Sequence, residues 1–228
     1  MAATLVLFDV DGTLITSGGA GARAWAQAFE RLYGVPADIG SHSEAGETDP
    51  AVARSTFAAS VGREATNEEL ARLFAAYLLR LADEVATSPG YRVLDGVASL
   101  LTRLSDAGTM LGIVSGAMEG AARVKLGRGD LNRFFVFGGY GSDSADRAAL
   151  TRVAIEKASI LRGRAIAPAS VLVVGDTPRD VAAATAAGCV SVGVASGRYG
   201  GDELAASGAD HVLGSLADPF PVVPDPGA

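Results

Sequence analysis

A chain of 228 residues, 49% of them apolar, is long enough to bury a sizeable core as one large domain or as a core with an insertion. The formal net charge of -7 argues against sequence-independent binding to nucleic acid or an anionic membrane, which needs a basic face, and no apolar run is long enough to span a bilayer. A single cysteine, Cys189, excludes an internal disulfide and a cysteine-rich zinc site and reads as a small buried residue. No basic stretch precedes the short apolar run near the N-terminus, so no signal peptide is expected, and the expectation is a cytoplasmic protein, monomeric or a weak homodimer.

Taken in order, the chain opens with an apolar run, Leu5 to Phe8, that reads as a buried strand and ends in Asp9-Val10-Asp11-Gly12-Thr13. A glycine-rich turn follows. A helical pattern then runs from about Ala22 to Tyr33, with Trp25, Phe29, Leu32 and Tyr33 at helical spacing before Gly34 and Pro36. Residues 37 to 48 are polar and irregular, and Asp49-Pro50 looks like a helix start. Thr66 and Glu69 form a capping box ahead of a long amphipathic helix through Leu70, Leu73, Tyr77 and Leu81. Nothing from 16 to 86 reads as a strand, so this stretch is expected to be a helical insertion.

Pro89-Gly90 marks the return. Helices are expected over Val97–Leu104, Met118–Leu126, Asp146–Leu161 and Pro178–Ala187. Strands are expected over Met110–Val114, Phe134–Phe137, Val171–Val174, Val190–Val194 and His211–Leu213, with a loop over Gly138–Asp146. Asp218–Ala228, with four prolines in eleven residues, reads as a loose tail. Alternating strands and helices predict an α/β fold, a parallel sheet with helices on both faces. Its carboxyl edge, where such sheets bind ligands, gathers Asp9, Asp11, Ser115 and Asp176.

Two carboxylates so close at a strand end repel unless a cation compensates, and a hard divalent ion such as Mg²⁺ suits oxygen ligands. Asp9, Asp11, Asp176 and Asp180 are the candidate ligands, Asp180 lying one helical turn beyond Asp176. The alternatives are a helix N-cap for Asp176 and a first-turn acid complementing the helix dipole for Asp180. Asp9, directly at the strand end, suits a nucleophile attacking phosphorus, and Asp11 suits the acid and base that protonates the leaving alcohol and then activates water. Ser115 and the amides after it, Gly116 first, and Thr13 in the opening turn, are candidates to hold the phosphoryl group. One cation should oppose the metal across the phosphate. Arg147 opens a helix near the edge. Lys125 stands about eight residues into its helix, roughly 12 Å along the axis, and reads as a solvated surface charge.

These residues resemble the four motifs of the haloacid dehalogenase-like superfamily: Asp9-Val10-Asp11-Gly12-Thr13, Ser115 after an apolar strand, a basic residue opening a later helix, and Gly175-Asp176 with Asp180. The resemblance runs over nearly the whole chain. It implies a Rossmann-like core over 1–15 and 87–228, an all-helical cap of the phosphoglycolate phosphatase type over 16–86, and Mg²⁺-dependent hydrolysis of small-molecule phosphate monoesters through an aspartyl-phosphate. Such a cap closes over the site and reads the leaving group. Two departures stand out. Asp146-Arg147-Ala148 replaces the family's usual third-motif lysine with arginine, which keeps the charge and changes its geometry, and the second motif carries serine where threonine is also common.

The only lysines are Lys125 and Lys157, so residues 16–86 lack the cap lysine of a phosphonatase, and Asp11 argues against a dehalogenase, which does not need the second acid. A phosphomutase shares all four motifs and stands as the alternative; a non-catalytic binding protein is a third class, disfavoured because buried carboxylates without a task destabilise. In the cap, Ala45-Gly46-Glu47-Thr48-Asp49 looks like a substrate-facing loop, with Glu47 and Asp49 placing negative charge near the leaving group. That charge predicts a neutral or cationic alcohol rather than a carboxylate-bearing one; the plain alternative is a solvated loop with Asp49 as a helix cap. His42 and His211 read as surface or strand-end residues.

Overall fold

The computed structural model describes residues 5–39 and 47–221; His42, Ala45, Gly46 and residues 222–228 lie outside them. The central strand is β1 (Leu5–Phe8), all four of whose residues are fully buried. It pairs in parallel with β4 (Met110–Ser115) on one side and β6 (Val171–Gly175) on the other. With β5 (Gly138–Tyr140), β7 (Val190–Val194) and β8 (His211–Leu213) the sheet has the order β5-β4-β1-β6-β7-β8, parallel throughout.

The pleat sends alternate residues to opposite faces. Val6, Phe8, Leu172 and Val174 join one apolar cluster, with α4 (Val97–Asp106) and α5 (Glu119–Arg128). Leu5, Leu7, Val171 and Val173 join the other, with α6 (Arg147–Arg162) and α7 (Pro178–Ala186). Both faces are thus apolar, which is why the strands read as continuous rather than alternating hydrophobic runs.

The helices α1 (Ala20–Tyr33), α2 (Asp49–Val61) and α3 (Asn67–Thr87) lie between β1 and β4 in sequence and pack on one another. Trp25 of α1 stacks on Tyr77 of α3 with ring centroids 3.9 Å apart, and Tyr33 meets Phe57 of α2 edge to face. The expected capping box of α3 is present: Glu69 N–H donates to Thr66 Oγ1 at 3.2 Å, and Thr66 N–H donates to the Glu69 carboxylate at 2.9 Å.

Three elements differ from the sequence reading. The insertion is closed at its base by a short antiparallel ribbon of β2 (Ile15–Ser17) and β3 (Tyr91–Val93), each too short to leave a pattern. The strand expected at Phe134–Phe137 is a 3-10 turn over Asn132–Phe134 and a connection, and the strand proper falls on Gly138–Tyr140. Aromatic content pointed to the wrong segment. The glycines mark a close approach instead: a Cβ on Gly139 would come within 1.9 Å of the Leu150 carbonyl of α6, so only a bare backbone fits there. A short helix, α8 (Gly201–Ala206), precedes β8.

Candidate active site

The parallel sheet brings the ends of β1, β4 and β6 to one edge. Asp9 continues β1, its N–H donating to Val174 O at 2.9 Å, and Asp176 follows β6. Asp9 and Asp176 are buried, as is Asp180 in the first turn of α7. One carboxylate oxygen from each of these three acids lies within 4.8 Å of the others.

Asp176 does not cap α7. That place belongs to Thr177, whose hydroxyl accepts from Asp180 N–H and donates to Asp180 Oδ2 at 2.7 Å. Asp180 therefore serves two ends: Oδ2 completes the capping box, while Oδ1 accepts from Arg147. Thr13 Oγ1 donates to Asp176 Oδ1 at 3.3 Å. The loop after β7, which the sequence reading did not mark, passes close behind: a Cβ on Gly197 would fall 1.8 Å from Asp176 Oδ2.

Burial first, and then the neighbouring carboxylates, push Asp9 up to about 7 and Asp176 up to about 8. Arg147, at the first position of α6 with Asp146 as N-cap, opposes this at Asp9, donating to Asp9 Oδ1 at 3.3 Å. Burial works against the guanidinium's charge too, but Asp180 and Asp9 outweigh it and hold Arg147 above its ordinary range. Three buried acids facing one guanidinium leave negative charge uncompensated when ionised. An oxygen-only, carboxylate-rich donor set of this kind fits a hard divalent cation.

Asp11 stands apart from that group. Its Oδ2 accepts from Lys125 Nζ at 2.6 Å. Lys125, expected on the surface, is only 6% exposed. The axial estimate assumed a helix running straight away from the edge. Instead α5 packs against β2 and α3, beneath the insertion, and the long stem of the lysine covers the remaining gap. Burial opposes the ammonium, yet Asp11, with Tyr77 and Asp49 behind it, holds Lys125 above its ordinary range.

Ser115 closes β4, buried, with Ala117 N–H donating to its Oγ at 3.3 Å. Gly116 lies against both sides of the site: a Cβ there would meet the Glu47 carbonyl at 2.4 Å and Arg147 Nη1 at 3.1 Å. Asp49 N–H donates to Gly116 O at 2.8 Å, and the Asp49 carboxylate accepts from Met118 N–H at 2.8 Å. Asp49 thus binds the insertion to the loop after Ser115. Burial raises its carboxyl from the ordinary value, against the pull of Lys125. The Glu47 carboxylate stands 3.9 Å from Arg179 of α7, beside a groove of about 530 Å³ that Thr48, Arg147 and Arg179 also line.

The model of the haloacid dehalogenase-like hydrolases matches residues 6–194, and the chain belongs to that family. Within it the chain is phosphoglycolate phosphatase-like and is a hydrolase. Curated relatives include phosphoglycolate phosphatases of Vibrio vulnificus, 29% identical over 96% of this chain and 95% of theirs, and of Salmonella typhi, 28% identical over 96% and 91%. Among solved structures, a protein described as a predicted phosphoglycolate phosphatase from Haemophilus somnus superposes with a TM-score of 0.73 at 21% identity, covering 94% of this chain and 95% of its own. CbbY from Rhodobacter sphaeroides, solved with phosphate and also with xylulose-(1,5)bisphosphate, gives 0.73 at 21% identity over 96% of each chain. At that identity the structural likeness speaks for the fold.

Proposed function

We propose that this protein is a Mg²⁺-dependent phosphatase of small-molecule phosphate monoesters, working through an aspartyl-phosphate on Asp9. The observation that carries the reading is the placement of Asp9 at the end of the central strand, in one cluster with Asp176 and Asp180 and in contact with Arg147. Asp9, Asp176 and Asp180 would hold the ion, whereas the Asp11 carboxylate, a fourth candidate in the sequence, turns to Lys125 instead; bound there, Mg²⁺ would supply positive charge to the ionised carboxylates and to a phosphate oxygen.

In the first half-reaction an Asp9 oxygen attacks phosphorus, the ester P–O bond breaks, and Asp11 gives its proton to the departing alkoxide. In the second, Asp11 takes a proton from water, which attacks phosphorus and releases inorganic phosphate from Asp9. The Arg147 guanidinium opposes the negative charge that gathers on the phosphoryl oxygens, and Ser115 with the Gly116 amide hydrogen-bonds them. Thr13 keeps Asp176 oriented through its hydrogen bond. Residues 16–86 act as the cap, closing over the site, excluding water and meeting the leaving group.

The Glu47 carboxylate beside the groove supports a neutral or cationic alcohol over one that bears a carboxylate, with Arg179 at 3.9 Å offsetting part of its charge; Asp49, buried and tied to Met118 N–H, holds the loop rather than meeting the leaving group. The relatives' name puts phosphoglycolate in the substrate panel as the contrary case. Unchanged substrate ranking in Glu47→Gln would overturn this preference.

The deciding experiment is phosphate release from a broad panel of monoesters, with Mg²⁺ and with EDTA, for the wild type and for Asp9→Asn. Release that needs both Mg²⁺ and Asp9 is expected. Folded wild-type protein that releases no phosphate, but interconverts sugar phosphates once a sugar bisphosphate is added, would make it a mutase.

A further inference from the structure

We propose that Lys125 is a positioning residue for Asp11, and that the inserted helices complete its seat, so that the acid–base group is held in place only where core and insertion meet. The inference rests on the phosphatase reading above.

The lysine comes from the core helix α5, yet its ammonium sits among groups of the insertion. Its Nζ donates to Asp11 Oδ2 at 2.6 Å. Gly21 of α1 lies beside it, since a Cβ there would be 4.0 Å from Nζ and 3.9 Å from the Tyr77 hydroxyl of α3. Tyr77 is itself fixed by its stack on Trp25. Asp49, at the start of α2, also faces Lys125, and its carboxylate is tied to Met118. Three helices of the insertion thus surround an ammonium whose one hydrogen-bonded carboxylate is Asp11.

Fold stability alone gives little reason for the arrangement. Burying a lysine is costly, and a buried ion pair contributes little net stability compared with apolar residues of the same volume. The gain lies in geometry. Asp11 must present an oxygen first to the leaving alcohol and then to water. A carboxylate free to turn about its last torsion presents either oxygen in a broad range of directions. With Oδ2 held by Lys125, and no other donor engaging the carboxylate among the described residues, the second oxygen is left to face the reacting atoms. The Asp11 side chain is 42% exposed, so the insertion does not close it off.

The test compares two esters in Lys125→Met. An alkyl phosphate needs a proton on its leaving oxygen, whereas p-nitrophenyl phosphate does not. The expected result is an about 100-fold fall in kcat for the alkyl ester with KM within about threefold, while the first-turnover burst of nitrophenolate keeps its wild-type rate within about threefold. In an Asp11→Asn background the same substitution should cost less than about threefold more, because the lysine acts through the missing group. Equal slowing of alkyl turnover and nitrophenolate burst, no slowing of either, or full additivity with Asp11→Asn would overturn the proposal. If Lys125→Met fails to fold, Lys125→Ala with added propylammonium decides: recovery of alkyl-ester turnover supports it and no recovery overturns it. Wild-type protein inactive on both esters would overturn the phosphatase reading and this inference with it. An active wild type with an insensitive variant would overturn this inference alone.

Discussion

Two groups of charge flank the end of β1, and they are balanced differently. On one side Asp9, Asp176 and Asp180 cluster, and the Arg147 guanidinium pairs with Asp9 and Asp180. On the other, Asp11 has an ammonium to itself. Asp9 and Asp11, two residues apart, both follow that strand. The first side carries excess negative charge when ionised, and burial lifts Asp9 and Asp176 far above the ordinary carboxylate value. The second is neutral as a pair while Asp11 is ionised and carries one positive charge when Asp11 is protonated. The side that is unbalanced is the one able to take up a cation; the side that is balanced is suited to move a proton without one.

The largest effects should fall on the unbalanced side. Asp9→Asn is expected to reduce phosphate release by about 10³-fold or more, with EDTA producing a comparable loss in the wild type that Mg²⁺ reverses. Next, Arg147→Ala should lower kcat by about 100-fold, while Arg147→Lys restores part of it. Full restoration would show that charge alone matters, and none would show that the guanidinium's contact to Asp9 and Asp180 is needed. Gly197→Ala should act more gently. The added methyl displaces Asp176, so the Mg²⁺ concentration for half-maximal activity should rise about tenfold with a smaller change in kcat at saturation.

The smallest expected effect is on stability. Below about pH 4 both folded and unfolded chains hold the Asp9 and Asp176 protons. Between there and about pH 7 to 8 the unfolded chain releases them while the folded site still binds them, so stability falls as pH rises and levels off above about pH 8. Metal-free protein should therefore lose several degrees of Tm across that window, Mg²⁺ should flatten the slope, and Asp176→Asn should raise Tm of the metal-free protein at pH 8. A metal-free Tm that rises from pH 5 to 8 would show that Arg147 already compensates the acids, and the contrast between the two sides would fail.

The sequence carried most of the sheet, because strands buried on both faces leave unbroken apolar runs such as Leu5–Phe8 and Val171–Val174. It carried the convergence of Asp9, Asp176 and Asp180 for a related reason: parallel strands share one edge, so a residue at a strand end has a known neighbourhood. Lys125 was not legible, because its place depends on the angle at which α5 crosses beneath α3, and no local pattern encodes that angle. Gly197 was hidden in the same way, since a loop's approach to Asp176 is a tertiary fact. Gly138–Tyr140 misled for the opposite reason: the segment is a strand because a helix backbone presses on it, against its own preference.

The position of β1 has a consequence for how the chain is made. The strand at the centre of the sheet leaves the ribosome before either of its partners, β4 and β6, so its second edge stays open until Gly175 has emerged. At ordinary rates of synthesis that wait is roughly 10–35 s. Over that interval Leu5–Phe8 is a wholly apolar segment with at least one edge unpaired, while α1, α2 and α3, whose contacts are closer in sequence, can already assemble. The nascent chain is therefore most exposed to aggregation at the very strand that later positions Asp9.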